Sequence, residues 1–259
     1  MEKLKEVLNG LGKITDIPSP ESVSRMMNLF RNVFFPELYR DVAPGPAEKM
    51  AAALLEEQTG SRTISENFLS ELPKIKDLLL KDVAAVAHND PAVTSIAEVV
   101  LSYPAITVMM HYRVAHVLLQ MGVPLIPRII TEMAHSITGI DIHPAARIGE
   151  YFAIDHGTGI VIGATSIIGN HVMLYQGVTL GAKNFSYDEH GCPIDKPRHP
   201  ILEDNVTVYS NTTILGRVTI GHDTVVGGNV WLTHDVPPYS RILQTRAITH
   251  PLFEDGAGI

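Results

Sequence analysis

The sequence predicts an α+β protein in which an α-helical domain is followed by a β-solenoid. Two observations support this prediction. Only 6 of the 20 glycines precede residue 140 and 14 follow it, in the shorter part of the chain, and aliphatic residues after that point recur every six positions. A period of six scatters residues around an α-helix, whereas a solenoid that turns a corner every six residues places one aliphatic on each of its faces.

Residues 1–139 are predicted to form a bundle of five to seven helices, because apolar residues recur there at helical spacing between proline and glycine breakers. Examples are Val23, Met26, Met27, Phe30, then Leu69 and Leu72, then Leu78, Leu79, Val83 and Val86. The last two helices are expected within 111–122 and 127–139, each ending on a glycine that suits a left-handed cap. His111 and His116 point about 140° apart on such a helix, so we interpret both as structural.

Residues 140–245 are predicted to form the solenoid, with three hexads to a coil. The repeating aliphatics are Ile142, Ile148, Ile154, Ile162, Ile168, Leu174, Leu180, Leu202, Val208, Ile214, Ile220, Val226 and Leu232. Stacked coils bury these side chains in a narrow interior and hydrogen-bond to the coils on either side. Residues 246–259 follow as a C-terminal tail.

The composition excludes several classes of protein. The chain has 259 residues and a net charge of −8, with acidic residues in excess on both sides of residue 140, so neither part has the basic surface that nucleic acid or an anionic membrane requires. The most apolar stretch, from Val99 to Met110, is too short and too interrupted to span a membrane. Cys192 is the single cysteine, and the N-terminus has no hydrophobic signal segment. We therefore expect a cytoplasmic protein.

The repeat is broken twice, and both breaks carry a histidine beside a charged residue. The interval from Ile154 to Ile162 is eight residues, which inserts two residues next to Asp155 and His156. The interval from Leu180 to Leu202 is twenty-two, which leaves a loop excursion, 183–200, that contains Arg198 and His199. Insertions in a solenoid lie outside the prism, commonly on its binding face.

A hexad repeat of this kind resembles the left-handed parallel β-helix of the hexapeptide acyltransferases, and the motifs within it resemble the serine acetyltransferase family. The matching segments are DPAV (90–93), YRVAH (112–116), DIHPAARIG (141–149), IDHGTGIVIG (154–163), YQGVTLGAK (175–183), RHP (198–200) and ILGRVTIG (214–221). The resemblance covers roughly residues 85–240 and implies transfer of the acetyl group of acetyl-CoA to the hydroxyl of L-serine, in cysteine biosynthesis.

His156 is the predicted general base, because a serine hydroxyl needs a base as it attacks a thioester and imidazole suits that task near neutral pH. Gly157 and Gly159 beside it allow close approach of a ligand. The family resemblance supports His156 and implies Asp141 as the residue that orients its ring. Asp141 lies close to one coil before His156, so we expect the two to stack. A solvated loop histidine and an aspartate that binds backbone donors are the alternatives.

The resemblance also implies the residues that bind the substrates. Asp90 and Asp155 are implied for the amine and hydroxyl side of serine, and Arg198 and His199 for its carboxylate, to which an arginine fork can bind both oxygens. For Asp90 the alternative is a helix N-cap followed by proline at N1. The candidates for the acetyl-CoA groove have small side chains along the solenoid edge: Gly181, Ala182, Ser210 and Gly228. Lys183 and Arg217 are further candidates for its phosphates.

Competing functions remain open on the sequence alone. A metal-dependent lyase of the γ-carbonic anhydrase type needs three converging histidines, and the solenoid has enough of them, although we expect no metal. A non-catalytic scaffold does not explain the charged residues at the two breaks. Within the acyltransferases, homoserine or a sugar is the nearest alternative acceptor.

The family resemblance further implies partners. Its members bind O-acetylserine sulfhydrylase through a C-terminal isoleucine, which is Ile259 here, and a frayed terminus is the alternative. It also implies feedback inhibition by cysteine. A homotrimer is expected because sites of this fold lie between subunits, and the helical domain would allow two trimers to form a hexamer.

Overall fold

In the computed structural model, which describes residues 17–184, 187–189, 191, 194 and 196–245, helices are followed by a parallel β-solenoid. The described helices are α1 (Pro20–Phe34), α2 (Pro44–Thr59), α3 (Arg62–Asn89), α4 (Ile96–Ser102), α5 (Pro104–Gln120) and α6 (Ile126–Thr138). Their number lies within the predicted range. None of these described helices has the length and apolar character needed to cross a membrane.

The helices begin and end where local chemistry directs. The Ser19 side chain accepts a hydrogen bond from the Ser22 N–H at the start of α1, and Pro20 occupies its first turn. The predicted apolar face of α1 is completely buried against the other helices. At the end of α6, Gly139 adopts a left-handed conformation with φ of 69°, as the predicted cap requires.

Three parallel sheets form the sides of the solenoid. Sheet 1 contains the strands β1 (Asp141–Ile142), β4 (Val161–Ile162), β7 (Thr179–Gly181), β10 (Thr213–Leu215) and β13 (Trp231–Leu232). Sheet 2 contains β2 (Arg147–Ile148), β5 (Ile167–Ile168), β8 (Ile201–Leu202) and β11 (Thr219–Ile220). Sheet 3 contains β3 (Ala153–Asp155), β6 (Met173–Tyr175), β9 (Thr207–Val208), β12 (Val225–Val226) and β14 (Arg241–Ile242). The coil is the left-handed parallel β-helix that the repeat predicts.

The strand register confirms the hexad assignment. Ile162 pairs with Leu180 and Leu180 with Ile214, so one predicted column of aliphatics fills the inner face of sheet 1. Ile168 pairs with Leu202 in the same way, and these side chains fill the inner face of sheet 2. All thirteen predicted aliphatics are buried except Ile148, which is partly buried. The repeat read from the sequence is therefore the interior of the prism.

The helical domain covers the first coil of the solenoid through α5. The hydroxyl of Tyr112 donates to the Ala146 carbonyl at 2.6 Å, and the His116 ring contacts the Pro144 carbonyl at 2.8 Å. The guanidinium of Arg113 donates to the Ile148 and Gly149 carbonyls at 2.7 and 2.6 Å. The segment YRVAH thus satisfies backbone oxygens that no earlier coil is present to bind.

A buried ion pair completes this junction. The carboxylate of Asp82 on α3 accepts hydrogen bonds from Nε and Nη2 of Arg113 at 3.1 and 3.0 Å, and a third from the Phe152 N–H at 3.1 Å. Asp82 is fully buried and Arg113 is 5% exposed. Because this pair joins two helices to the turn before β3, it fixes the helical domain relative to the first coil.

Candidate active site

His156 lies at the corner between sheets 3 and 1, where the first break in the repeat occurs. It follows β3 directly and adopts a left-handed conformation with φ of 55°. Its side chain is 72% exposed, and its Nε2 lies 3.7 Å from a carboxylate oxygen of Asp155. The ring therefore faces outward, as a general base for an external substrate must.

Asp90 lies beside this corner, on the connection between α3 and α4. One of its carboxylate oxygens accepts from the Tyr103 hydroxyl at 2.7 Å, and the other accepts from the Ala92 N–H at 2.8 Å. The Tyr103 hydroxyl holds the pKa of Asp90 below its usual value, and the Ala92 N–H adds to this effect. Asp90 therefore stays ionised. We refer to Asp90, Tyr103, Asp155 and His156 as the His156 cluster.

The alternative interpretation of Asp90 as a helix N-cap is wrong. Its side chain caps a turn at Ala92, and the next helix begins only at Ile96, where Ser95 accepts from the Glu98 N–H. Proline at 91 therefore marks a turn that carries the carboxylate to the His156 corner.

Two stacked tyrosines lie on the coils that follow Asp155 in sheet 3. Asp155 pairs with Tyr175 between β3 and β6, and the rings of Tyr175 and Tyr209 stack with centroids 4.7 Å apart. Burial raises the pKa of Tyr175, and the nearby phenol of Tyr209 and carboxylates of Asp155 and Asp90 raise it further. These groups therefore line one continuous surface.

The prediction that Asp141 and His156 stack on adjacent coils is wrong. The first coil is twenty residues long because of the two inserted residues, so Asp141 pairs with Val161. The ion partner of Asp141 is Arg128 on α6, at 3.9 Å. Among the described residues no hydrogen bond or ion pair joins Asp141 to His156. The orienting role of Asp141 stays a prediction.

Arg198 and His199 lie at a different corner, between sheets 1 and 2, where the loop excursion returns to the solenoid. His199 is buried against Gly163 and Thr165, at the end of the turn that follows β4. Burial lowers its pKa to about 4, and the positive charge of Arg198 acts in the same direction. His199 is therefore neutral at physiological pH.

One chain does not bring the two predicted halves of the serine site together. The His156 cluster and His199 lie at opposite ends of sheet 1, separated by β4 and its flanking residues. Between His156 and Gly163 the chain turns at residues 158–159 and then runs through β4. Within the described part of one chain, no hydrogen bond or ion pair joins the His156 cluster to His199.

The predicted acetyl-CoA residues are also divided between these two corners. Ser210 and Gly228 stack on adjacent coils, as expected, since a Cβ built on Gly228 would lie 3.1 Å from the Ser210 carbonyl oxygen. Gly181 ends β7, and Ala182 follows it at the other end of sheet 1. Arg217, predicted as a candidate contact for the phosphates, forms hydrogen bonds within the protein instead. Its Nη1 donates to the carbonyls of Thr165 and His199 at 2.6 and 2.9 Å.

Potential metal ligands converge at one place within the described ranges. Atoms of Glu132, His135 and Asp141 lie within 4.8 Å of one another. This group has one histidine, whereas the γ-carbonic anhydrase alternative needs three. The predicted absence of a metal stays a prediction for metal analysis of the purified protein.

Sequence reasoning missed Tyr103, Gly163 and Thr165. Tyr103 precedes Pro104 at a break between helices, and nothing in the local pattern distinguishes it from a packing residue. Thr165 occupies a corner position, where small polar residues are common in any turn. Cys192 and the tail with Ile259 lie outside the described residues.

Comparison with known proteins identifies relatives of the whole arrangement. The family model described as bacterial transferase hexapeptide, six repeats, matches residues 199–234. A plasmid-encoded serine acetyltransferase of Synechococcus elongatus is 46% identical over 240 residues, which cover 92% of this chain and 74% of that protein. The crystal structure of serine acetyltransferase isoform 3 of Entamoeba histolytica in complex with cysteine has a TM-score of 0.77 and 32% identity, over 88% of this chain and 84% of that one. A serine acetyltransferase in complex with CoA has a TM-score of 0.62 and 28% identity, over 83% and 79% of the two chains.

Proposed function

Since the chain belongs to the serine acetyltransferase family, we propose a site for it in which His156 takes the proton from the serine hydroxyl. The chain is an enzyme that transfers the acetyl group of acetyl-CoA to the hydroxyl of L-serine, which gives O-acetylserine and CoA. The observation that supports this site best is an exposed imidazole beside two carboxylates, Asp90 and Asp155.

The proposed chemistry is general-base catalysis. A ring nitrogen of His156 accepts the hydroxyl proton while the serine oxygen forms a bond to the carbonyl carbon of the thioester. The tetrahedral intermediate then expels the CoA sulfur as a thiolate, which is protonated by the imidazolium. General-base assistance of this kind is typically worth about 10² to 10⁴ in rate.

The two aspartates would bind the serine ammonium. Asp90 keeps its negative charge and is held in one orientation by Tyr103 and the Ala92 N–H. The hydrogen bond to Asp90 raises the pKa of Tyr103 to about 12, and desolvation adds a smaller effect in the same direction. The phenol therefore stays a donor. A carboxylate fixed in advance binds an ammonium at a lower entropic cost than a mobile one.

The serine carboxylate would be bound by Arg198 and His199 of a neighbouring subunit in a homotrimer. The positions of the His156 cluster and His199 at opposite ends of sheet 1 of one chain support this arrangement. Mixing inactive His156→Ala subunits with inactive His199→Ala subunits tests it, because some mixed trimers would contain one intact site. Recovery of activity on mixing is expected, and no recovery after verified subunit exchange would contradict a shared site.

Two carboxylates are candidates for the group that binds the second ring nitrogen of His156. The family resemblance favours Asp141, whereas the structure has Asp155 at 3.7 Å. We propose Asp141 for this role, with Asp155 binding substrate. Asp141→Asn should then lower kcat with little change in KM for serine, whereas Asp155→Asn should raise KM for serine.

For acetyl-CoA we propose the small residues Gly181, Ala182, Ser210 and Gly228 as the groove, shared between adjacent subunits. Backbone amides at such positions can approach the pantetheine arm closely. Gly228→Val should raise KM for acetyl-CoA and leave KM for serine unchanged. Gly45→Val is a matched control, since Gly45 lies in α2 with open space around it.

Cysteine would compete for the serine site, because it has the same ammonium and carboxylate and differs only in the thiol. We propose cysteine as a feedback inhibitor, and competition against serine tests this proposal.

We also propose that Ile259 docks into O-acetylserine sulfhydrylase. Loss of binding when that residue is deleted tests this proposal. A hexamer of two trimers and a cytoplasmic location stay predictions.

A single assay tests the proposed function. Release of thiol from acetyl-CoA should be rapid with serine and slow with homoserine or simple sugars. His156→Ala should lower turnover by about 10² to 10⁴ without loss of the trimer. Full turnover in that variant would contradict the base assignment, and preference for another acceptor would change the substrate.

A further inference from the structure

Thr165 is the centre of the hydrogen bonds that hold His199. Its hydroxyl oxygen accepts from the Arg198 N–H at 2.9 Å and from the His199 N–H at 3.1 Å. The same oxygen lies 2.8 Å from Nδ1 of the His199 ring, and the Thr165 backbone N–H donates to that nitrogen at 3.1 Å. Four hydrogen bonds thus join one threonine to two predicted substrate-binding residues.

The positions of the protons follow from these contacts. The Thr165 hydroxyl oxygen already accepts two N–H groups, so its own proton is directed to Nδ1 of His199. The single lone pair of Nδ1 is therefore shared by the amide and the hydroxyl of Thr165, and Nδ1 carries no proton itself. In a neutral imidazole the proton must then be on Nε2.

The surroundings of the ring hold it in this orientation. A Cβ at Gly163 would overlap Cδ2 and Nε2 of the His199 ring, so the ring fits only because residue 163 is glycine. Arg217 joins the Thr165 and His199 carbonyls with one Nη1 group. His199 is only 7% exposed, and its Nε2 forms no hydrogen bond within the described part of the chain.

We propose that Thr165 is a positioning residue that keeps His199 as the neutral tautomer with its proton on Nε2. His199 then presents a hydrogen-bond donor to the serine carboxylate and has no free nitrogen with which to act as a base. This inference rests on the proposed function for the role of the carboxylate. It also separates the two histidines, since the exposed His156 can accept a proton and His199 can only donate a hydrogen bond.

The direct test is the tautomer of His199 in the full-length enzyme. Nitrogen NMR of protein labelled in its histidines separates protonated from unprotonated ring nitrogens, and His199→Gln identifies the signal. We expect an unprotonated Nδ1 and a protonated Nε2 at neutral pH. A proton on Nδ1 would overturn the proposal, and this measurement does not depend on which acceptor the enzyme uses.

Kinetics of two variants provide the second test. Thr165→Val keeps the shape and removes the hydroxyl, whereas Thr165→Ser keeps the hydroxyl and serves as the rescue variant. We expect Thr165→Val to raise KM for serine about tenfold, with kcat and KM for acetyl-CoA little changed, and Thr165→Ser to resemble the original enzyme. An unchanged KM in Thr165→Val, or an equal loss in both variants, would overturn the proposal. Retained turnover in His156→Ala would instead contradict the proposed function.

Discussion

The buried pair of Asp82 and Arg113 gives the sharpest prediction for stability. Asp82→Asn preserves the size and shape of the side chain, so it creates no cavity, but it removes the negative charge and replaces one of the two acceptor oxygens by an NH2 donor. The guanidinium of Arg113 would then be 5% exposed without its counter-ion. We therefore expect the helical domain to be strongly destabilised.

The magnitude follows from the contacts. Removing one partner of a buried ion pair costs about 3 to 5 kcal/mol, because it leaves an uncompensated charge. Arg113 retains its bonds to the Ile148 and Gly149 carbonyls, so we expect the lower end, about 3 kcal/mol. For an m value of about 2 kcal/mol/M, the urea midpoint should fall by about 1.5 M.

The assay is urea unfolding followed by two probes. Far-UV circular dichroism follows the helices, and the fluorescence of Trp231, the single tryptophan, follows the solenoid. Asp77→Asn is the matched control on the same helix, because Asp77 forms an exposed ion pair with Lys81 at 2.7 Å. Such pairs contribute about 0 to 1 kcal/mol. Equal midpoints for the Asp82 and Asp77 variants would refute the reasoning.

Three further predictions follow from single contacts. Tyr103→Phe removes the donor to Asp90, so KM for serine should rise about tenfold in steady-state assays, and an unchanged KM would count against ammonium binding there. Gly163→Ala should displace the His199 ring, lower kcat/KM for serine about 10²-fold and lower Tm by overpacking; full activity would show that the ring position is unimportant. Burial lowers the pKa of His111 to about 4. Between pH 6.5 and 4 the imidazole is therefore protonated in the unfolded state and neutral in the folded state. The contribution of His111 to the free energy of unfolding should therefore decrease by about 3 kcal/mol as pH falls from 6.5 to 4. His111→Gln should remove that part of the slope in unfolding titrations and leave the part due to His199.

The interior of the solenoid could be predicted residue by residue, because one aliphatic per face is a strict geometric requirement that leaves a period in the sequence. The register across the first break could not be predicted as easily. Two inserted residues lengthen the coil and pair Asp141 with Val161, and only coordinates show where such an insertion is absorbed.

The candidate site was predictable only in part. His156 and His199 could be found because they lie at breaks in a regular repeat. Tyr103 and Thr165 act through hydrogen bonds between residues distant in sequence, 13 and 34 positions apart, and neither distance produces a periodic signal. The contacts of YRVAH with the first coil are of the same kind, since a helix sequence does not reveal which carbonyls its side chains will meet.

The contacts of α5 with the first coil have a consequence for how the protein behaves at high concentration. A coil at the end of a parallel stack exposes a row of unpaired peptide groups, which is a template onto which another molecule can add strands. Tyr112, Arg113 and His116 occupy four carbonyls of that row. The helices therefore protect this end of the prism against fibre-like growth, and a version trimmed to the solenoid alone would lose that protection along with Asp90, the residue proposed to bind the serine ammonium.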